Sequence, residues 1–448
     1  EITGNASNNT IKGLNGNDSF IASAGDDHIY GGNELTDTSS GDIADYSNQT
    51  QKITLSTASG TSDYTVTKVA GGTDTLEGID TIIGSNYNDE LTGDNQKDVF
   101  ISKDGNDTLK GNAGDDTLDA GDGDDTLIGG TGDDSLIGGN GTDTIDYSLR
   151  TNSVEVNLAS GTATVDTEND NDFDANDEND SISGIENVKG SNQRDLLTGD
   201  ALSNVITGND GDDTIAGGAG GDSLYGNAGD DTFTFTNVAD ESRFDNIDGG
   251  TNTGTGDTLD YNSLSLGVDV TLGEADVSTN VTVGTRTEDH KIVNIENVKG
   301  TNHADIISGN SQNNTLLGNS GDDILKGAGG DDSLDGGLGN DTVDYSDASE
   351  NLDVDITDGT KFISASQGTD TFKDIEGIIG GSGDDILKGN SSANTLIGND
   401  GNDTLYGRGV SGTGIDYLDG GGAANDEDYV SFSDNTSGIK LDLSITTA

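Results

Sequence analysis

Residues 84–146 divide into seven consecutive frames of nine without remainder: GSNYNDELT, GDNQKDVFI, SKDGNDTLK, GNAGDDTLD, AGDGDDTLI, GGTGDDSLI and GGNGTDTID. Asp stands at the sixth position of each, and a large apolar residue follows two places later, at Leu91, Phe100, Leu109, Leu118, Leu127, Leu136 and Ile145. A period of nine matches neither an amphipathic helix nor a half-buried strand; a fixed repeat of this kind means stacked units. The first six positions, fullest in GGTGDD at 129–134, have the composition of a tight turn, because Gly reaches positive φ with no Cβ clash. The last three, such as SLI, suit a short strand whose middle residue points inward. Two frames then make one coil, with a turn on each side and a thin apolar interior. Each Asp sits at the turn edge, stacked over the Asp of the next coil.

Such a stack needs help to hold together. Ordering nine residues costs roughly 1 to 2 kcal/mol each, and burying one Leu or Ile per frame returns only about 1.5 to 3 kcal/mol. Carboxylates stacked about 5 Å apart add roughly 1 kcal/mol of repulsion per pair even at the dielectric of water. A hard divalent cation that accepts six to eight oxygens from carboxylates and turn carbonyls meets both needs, and Ca2+ suits a flexible Gly-rich turn better than Mg2+, which keeps its waters.

GGTGDDSLI and its neighbours resemble the RTX (repeats-in-toxin) nonapeptide, G-G-x-G-x-D-x-U-x with U large and apolar. The resemblance implies an all-β right-handed parallel β-roll with Ca2+ held between successive turns on both sides. On that reading the metal ligands are the sixth-position residues Asp18, Asp27, Asp89, Asp98, Asp107, Asp116, Asp125, Asp134, Asp143, Asp195, Asp213, Asp222, Asp231, Asp305, Asp323, Asp332, Asp341, Asp385 and Asp403. The family's repeats accompany proteases, lipases, toxins, adhesins and surface-layer proteins alike, so the motif alone does not choose a function.

Composition agrees. The chain of 448 residues carries 85 Asp plus Glu against 19 Lys plus Arg, a formal charge of −66, which rules out nucleic acid or an anionic membrane surface as partner. Only 15 of those acids are Glu, so the carboxylates are placed by the repeat rather than spread for solubility. With 29% hydrophobic and 4% aromatic residues the composition is that of a disordered chain. The expectation is therefore conditional order, folded with Ca2+ and largely unfolded without it. Cys is absent, which removes disulfides and Cys zinc sites. No apolar run approaches the length of about 18 residues that membrane insertion requires.

The nonapeptide is interrupted at intervals. β-roll blocks are expected at 1–47, 84–148, 190–261, 300–346 and 380–432, separated by β-arms at 48–83, 149–189, 262–299 and 347–379, with the start of a fifth arm at 433–448. Each block closes on a corner such as GDIADYS (41–47) or GTDTIDYS (141–148), with Tyr46, Tyr147, Tyr261 and Tyr345 expected to pack against the arm. The arms alternate on the strand period, as in KITLS and YTVTKV, and read as hairpins lateral to their own module in preference to strands paired with a neighbouring copy's edge. The return is I-E-N-V-like, as in GIENVKGS (184–191). One frame per module carries Asn9, Asn204, Asn314 or Asn394 in place of Asp and reads as a structural spacer.

DNDFDANDEND (170–180) groups Asp170, Asp172, Asp174, Asp177 and Asp180, either an extra calcium loop or a charged arm loop. His28, His290 and His303 share no metal-binding spacing and read as ordinary surface or turn residues. No GxSxG elbow is present, and no enzymatic activity is expected.

Both ends fall inside modules, as EITG at 1–4 matches ELTG at 90–93, so the chain is either cut from a longer repeat protein or completed by a neighbouring copy. The favoured expectation is a secreted bacterial structural protein, extracellular or at the cell surface. It would fold on Ca2+ after type I secretion and assemble with itself head to tail into a surface layer or filament, with a cell-surface polysaccharide as anchor. The alternative is a calcium-folded carrier module of a larger secreted enzyme, toxin or adhesin.

Overall fold

A computed structural model describes residues 1–32, 41–57, 63–69, 71–168, 173, 177–235, 245–274, 277–284, 290–357, 359–408, 415–422 and 426–431. Among them every regular element is a β-strand. Asp170, Asp172, Asp174 and the expected fifth arm strand lie outside the described residues. The chain forms two compact units, Glu1–Ala228 and Gly229–Ala448.

In the first unit the nonapeptide reading holds rung by rung. Strands Val99–Asp104, Thr117–Asp122 and Ser135–Asn140 stack in parallel on one face, with Phe100 against Leu118 and Leu118 against Leu136. Glu90–Thr92, Thr108–Ala113 and Thr126–Thr131 stack on the other, with Leu91 against Leu109 and Leu109 against Leu127. Partners are 18 residues apart, so two frames make one coil. The middle residue of each strand is buried and its neighbours are not, as the buried Leu118 and Leu136 between half-exposed neighbours show. The interior is one file of Leu, Ile, Val and Phe per face, each worth about 1.5 to 3 kcal/mol when fully buried.

The turns need glycine where coils approach closely. Gly132 has φ 118°, and a Cβ there would run into the carbonyl of Gly114 in the coil below. Positions one and six meet in the same way where position one is glycine: a Cβ on Gly111 would collide with Oδ2 of Asp116 and stand 2.6 Å from the carbonyl oxygen of Gly129, whereas Ser102 and Ala120 fill that position in two of the seven frames.

The arms belong to their own module, as expected, but they are not lateral hairpins. Ile53–Thr57, Tyr64–Lys68 and Gly72–Glu77 form an antiparallel meander. Its last strand pairs in parallel with His28–Tyr30 and its first with Glu90–Thr92, so the three strands are inserted into the face of the roll as rungs. On the opposite face Ile43–Asp45 pairs directly with Thr81–Ile83. The second arm, Val154–Asn157, Thr162–Val165 and Glu178–Ser183, is inserted into the other face in the same manner. The physical reason is burial: Ile53, Leu55, Val66, Leu76, Val154 and Val156 are all fully buried, which a hairpin lying out in solvent could not achieve.

The second unit repeats this plan. Val268–Thr271, Thr279–Val283 and His290–Val293 form an arm seated between Asp245–Thr251 and Ile306–Ser308. The fourth arm seats Gly368–Lys373 on Ser333–Asp335 and Asp353–Asp355 on Ile386–Lys388.

Candidate metal centre

The sixth-position aspartates form ladders along the turn edges. In each, the backbone N–H of one Asp donates to Oδ1 of the Asp one coil on: Asp89 to Asp107 (2.6 Å), Asp107 to Asp125 (2.6 Å) and Asp125 to Asp143 (2.8 Å) on one side. On the other side Asp98 donates to Asp116 (2.7 Å) and Asp116 to Asp134 (2.8 Å). Asp195 donates likewise to Asp213, and in the second unit Asp305 to Asp323, Asp323 to Asp341, and Asp385 to Asp403. Asp222 accepts from Asn204, Asp332 accepts from Asn314, and Asp231 donates to Asp257.

One oxygen of each carboxylate is thus used, and the second is the informative one. Oδ2 of Asp18, Asp116, Asp125, Asp134 and Asp143, and of Asp257, Asp323, Asp332, Asp341 and Asp403, is buried with no hydrogen-bond partner. A buried carboxylate oxygen left so is costly. Beside several of these oxygens a glycine leaves room that also takes in a backbone carbonyl of the next coil: a Cβ on Gly13 would meet Asp18 Oδ2 and the carbonyl of Gly31, and one on Gly318 would meet Asp323 Oδ2 and the carbonyl of Gly336, whereas Ala120 takes that position in the frame of Asp125. Among the described residues no three acidic or imidazole side chains converge on a point, so each cradle combines carboxylate with backbone oxygens. Oxygen-only donors suit Ca2+.

Electrostatics points the same way. Burial, then the carboxylates of neighbouring coils, pushes Asp134 up to about 8 and Asp116 up to about 7 from an ordinary 3.8. Asp107 and Asp323 also rise to about 7 and Asp257 to about 8, with burial as the main cause. The calcium-free ladder therefore resists its own ionisation. A divalent cation held among them would supply the positive charge that keeps such carboxylates ionised.

The family model for the RTX calcium-binding nonapeptide repeat, four copies long, matches residues 3–34, 74–109, 101–136, 110–145, 198–233, 299–333, 308–343 and 379–413. The chain is an RTX-repeat protein. RTX nonapeptide repeats bind multiple Ca2+ ions, and the orphaned Oδ2 atoms above lie within the matched frames, except that of Asp257, which falls between two of them. No curated protein matches the chain. Among solved structures it is similar to the extracellular lipase LipA from Serratia marcescens, at 16% identity and a TM-score of 0.14, over 49% of this chain and 43% of that one. The overlap spans less than half of the lipase.

Not every RTX frame offers the same site. In the first frame after each arm the carboxylate is already satisfied within its own turn: Asp89 by the amide of Ser85 (2.6 Å), Asp195 by Ser191 (2.6 Å), Asp305 by Thr301 (2.6 Å) and Asp385 by Gly381 (2.8 Å). Their Oδ1 atoms accept from the arms instead, at Ile53, Val154, Val268 and Leu352. Asp98 accepts from the amide of Asp94 and the hydroxyl of Tyr64, and Asp27 from the hydroxyl of Ser23.

The spacer frames work through their amides. Oδ1 of Asn204 accepts from the Asp200 N–H (2.9 Å) while Nδ2 donates to the carbonyl of Glu186 (2.8 Å), and Asn314 does the same with Asn310 and Glu296. Asn394 donates to the carbonyl of Glu376, and Asn9 accepts from Asn5. A neutral amide thus closes the ladder where the others carry charge.

Among the ladder carboxylates that escape the nonapeptide count, four follow lengthened turns rather than arms. Asp42 accepts from the Asp18 N–H (2.7 Å), Asp257 from Asp231 (2.7 Å), Asp416 from Asn394 (3.0 Å) and Asp428 from Asp403 (3.1 Å). Their turns are longer than nine residues. The surviving signal is an Asp two places before an inward residue, as in Asp42-Ile43-Ala44.

The corner tyrosines pack where expected and also hydrogen-bond to the arm. Tyr46 donates to Asp74 (3.1 Å), Tyr147 to Asp180 (2.7 Å) and Tyr345 to Asp370 (2.5 Å). Asp180 thus belongs to the ladder, accepting also from the Asp134 N–H (2.9 Å), while Asp177 accepts from Thr167. Asp74 is further held by the buried Lys68 ammonium (2.6 Å), which also donates to the carbonyl of Ser23. In the third arm this slot falls to His290. It is buried rather than a surface or turn residue, 3.1 Å from Asp245 and beside the rings of Phe235 and Tyr261, because it faces inward on an inserted strand. His28 pairs with Glu77, and the His303 carbonyl accepts from Thr301 in a turn.

Proposed function

We propose that this RTX chain is a calcium-set structural module that works outside the cell, where copies join head to tail into a surface layer or filament. The observation that carries the calcium step is the run of buried Asp Oδ2 atoms without hydrogen-bond partners, in consecutive frames from Asp116 to Asp143. Where free Ca2+ is scarce, as inside a producing cell, the repulsion along the ladders keeps the chain open and ready for type I export. At roughly millimolar Ca2+ outside, binding to the folded state alone stabilises it by RT ln(1 + [L]/Kd) per site, and many sites make the step decisive.

Head-to-tail joining draws on the chemistry that stacks the coils: a terminal rung of a parallel roll presents backbone N–H and C=O groups to whatever strand comes next. Sedimentation velocity in EGTA, then in a few millimolar CaCl2 with MgCl2 as control, tests both steps. Compaction followed by growth into large, EGTA-reversible species supports the whole proposal. Compaction to a stable monomer refutes the joining and favours a carrier module of a larger secreted protein. No calcium-specific change refutes the folding step as well.

A further inference from the structure

The return strand after each arm carries an acid in the ladder slot. The N–H of Asp143 donates to Oε2 of Glu186 (2.8 Å), 43 residues on, and that of Asp257 to Oε2 of Glu296 (2.9 Å), 39 residues on. No glycine-rich turn leads into either glutamate, and neither belongs to the nonapeptide pattern. Asp143 and Asp257 are fully buried, and Oδ2 of each lacks a hydrogen-bond partner. The two atoms point into cradles that also contain carbonyls of the return segment. A Cβ on Gly138 would stand 2.7 Å from Asp143 Oδ2 and run into the carbonyl of Gly184, and one on Gly249 would run into Asp257 Oδ2 and the carbonyl of Asn294. Each cradle thus combines a buried aspartate with a return carbonyl, and the glutamate that accepts the same aspartate's N–H stands one rung on.

We propose that Asp143 with Glu186, and Asp257 with Glu296, form calcium sites of a second kind, clasps that close the base of an arm rather than the edge of a turn. In an ordinary frame the ligands come from turns 18 residues apart. Here they lie on opposite sides of an entire arm, so the ion ties the start of the arm to its end. Closing the longer segment removes more freedom from the open chain, and arm order is therefore coupled to these ions above all others. Asp42 with Asp80 and Asp341 with Glu376 occupy the same slot in the other two modules. On the far side of Glu186 and Glu296 the amides of Asn204 and Asn314 donate to the glutamate carbonyls, so one uncharged step follows each clasp before the ladder resumes at Asp222 and Asp332.

The inference rests on the calcium reading of the ladders, and the experiment separates the two. Glu186→Gln and Glu296→Gln are made singly in the full chain, with Glu155→Gln on an arm strand as control. Glutamine keeps an oxygen to accept the aspartate N–H, so a merely structural role survives the change. Calcium stoichiometry is read by equilibrium dialysis, and arm order by hydrogen exchange at limiting and saturating Ca2+.

The expected result is one bound ion fewer, or one site weakened by about tenfold or more as a ligand charge is lost. Faster exchange should be confined to residues 154–183 in Glu186→Gln and to the described strands of 268–293 in Glu296→Gln. Unchanged stoichiometry and unchanged arm exchange in both variants overturn the clasp and leave the turn sites standing. Exchange rising throughout a unit, with the ion count intact, also overturns it. A wild-type chain that binds no Ca2+ overturns the clasp and the calcium reading together.

Discussion

Acid should stand in for calcium. In the metal-free chain Asp134 is pushed up to about 8, and Asp107, Asp116 and Asp195 up to about 7, from 3.8, with burial the largest cause in each. Each pKa unit corresponds to about 1.4 kcal/mol between the two protonation states, so ionising any one of these at pH 7 costs about 4 kcal/mol before screening. The carboxylates lie close to the turn surface, where water screens them, and about 1 to 2 kcal/mol each is the working figure. Four such groups in the first unit then oppose folding by about 4 to 8 kcal/mol, comparable with the whole stability of a typical domain.

The sign follows from the direction of the shifts. A folded pKa above the unfolded value means stability fully present below about pH 4 and lost as pH rises through about 7 to 8. Far-UV circular dichroism of the metal-free chain, taken from pH 8 down to pH 5, should therefore show β-structure appearing without any ion. Stopping at pH 5 keeps the chain above its isoelectric point of about 4.1, and sedimentation velocity on the same samples separates folding from aggregation. In millimolar Ca2+ the spectrum should stay folded across the range, and Ca2+ added at pH 5, where the folded carboxylates hold protons, should release them. A metal-free chain that is equally unfolded at pH 5 and pH 8, or already folded at pH 8, would refute the reasoning.

Three further outcomes follow from named contacts. Gly111→Ala places a methyl against Asp116 Oδ2 and the Gly129 carbonyl, so one Ca2+ should be lost and local stability should fall by about 1 to 3 kcal/mol, read by calcium titration with hydrogen exchange. Tyr147→Phe removes the hydroxyl that Asp180 accepts at 2.7 Å, and exchange at 178–183 should quicken by the equivalent of about 1 to 3 kcal/mol in saturating Ca2+. Lys68→Met strips the buried Asp74 of its ammonium partner and should cost the first arm about 3 to 5 kcal/mol, seen as faster exchange at 64–77 with the second arm unaffected.

Much of this was legible in the sequence, and the exceptions share one cause. Within 84–146 the count of nine finds Asp116, Asp134 and their inward partners Leu118 and Leu136 because the turns there never change length. The arm strands were legible from alternation, yet a lateral hairpin and an inserted meander have the same alternating pattern. What distinguishes them is the pairing of Gly72–Glu77 with His28–Tyr30, a partner 47 residues away. Asp42, Asp257, Asp416 and Asp428 slipped through because their turns are longer than nine residues, and Asp80, Glu186, Glu296 and Glu376 because a whole arm precedes them. Spacing from the previous carboxylate is therefore the wrong coordinate, since a loop can take any length without disturbing the rung that follows it.

The rung itself is rigid. Its middle residue must face inward, and the ladder carboxylate must stand two places before that residue to meet the amide of the coil below. Asp42 precedes Ala44 by two, Asp257 precedes Leu259, Asp74 precedes Leu76, Asp180 precedes Ile182, Glu186 precedes Val188 and Glu376 precedes Ile378. His290, two before Ile292, fills the same slot with a different group. An acid two residues ahead of an inward apolar side chain, whatever the turn before it, is the pattern that recovers both the turn sites and the clasps. It follows from strand geometry, which fixes the rung, while leaving the turn free to vary.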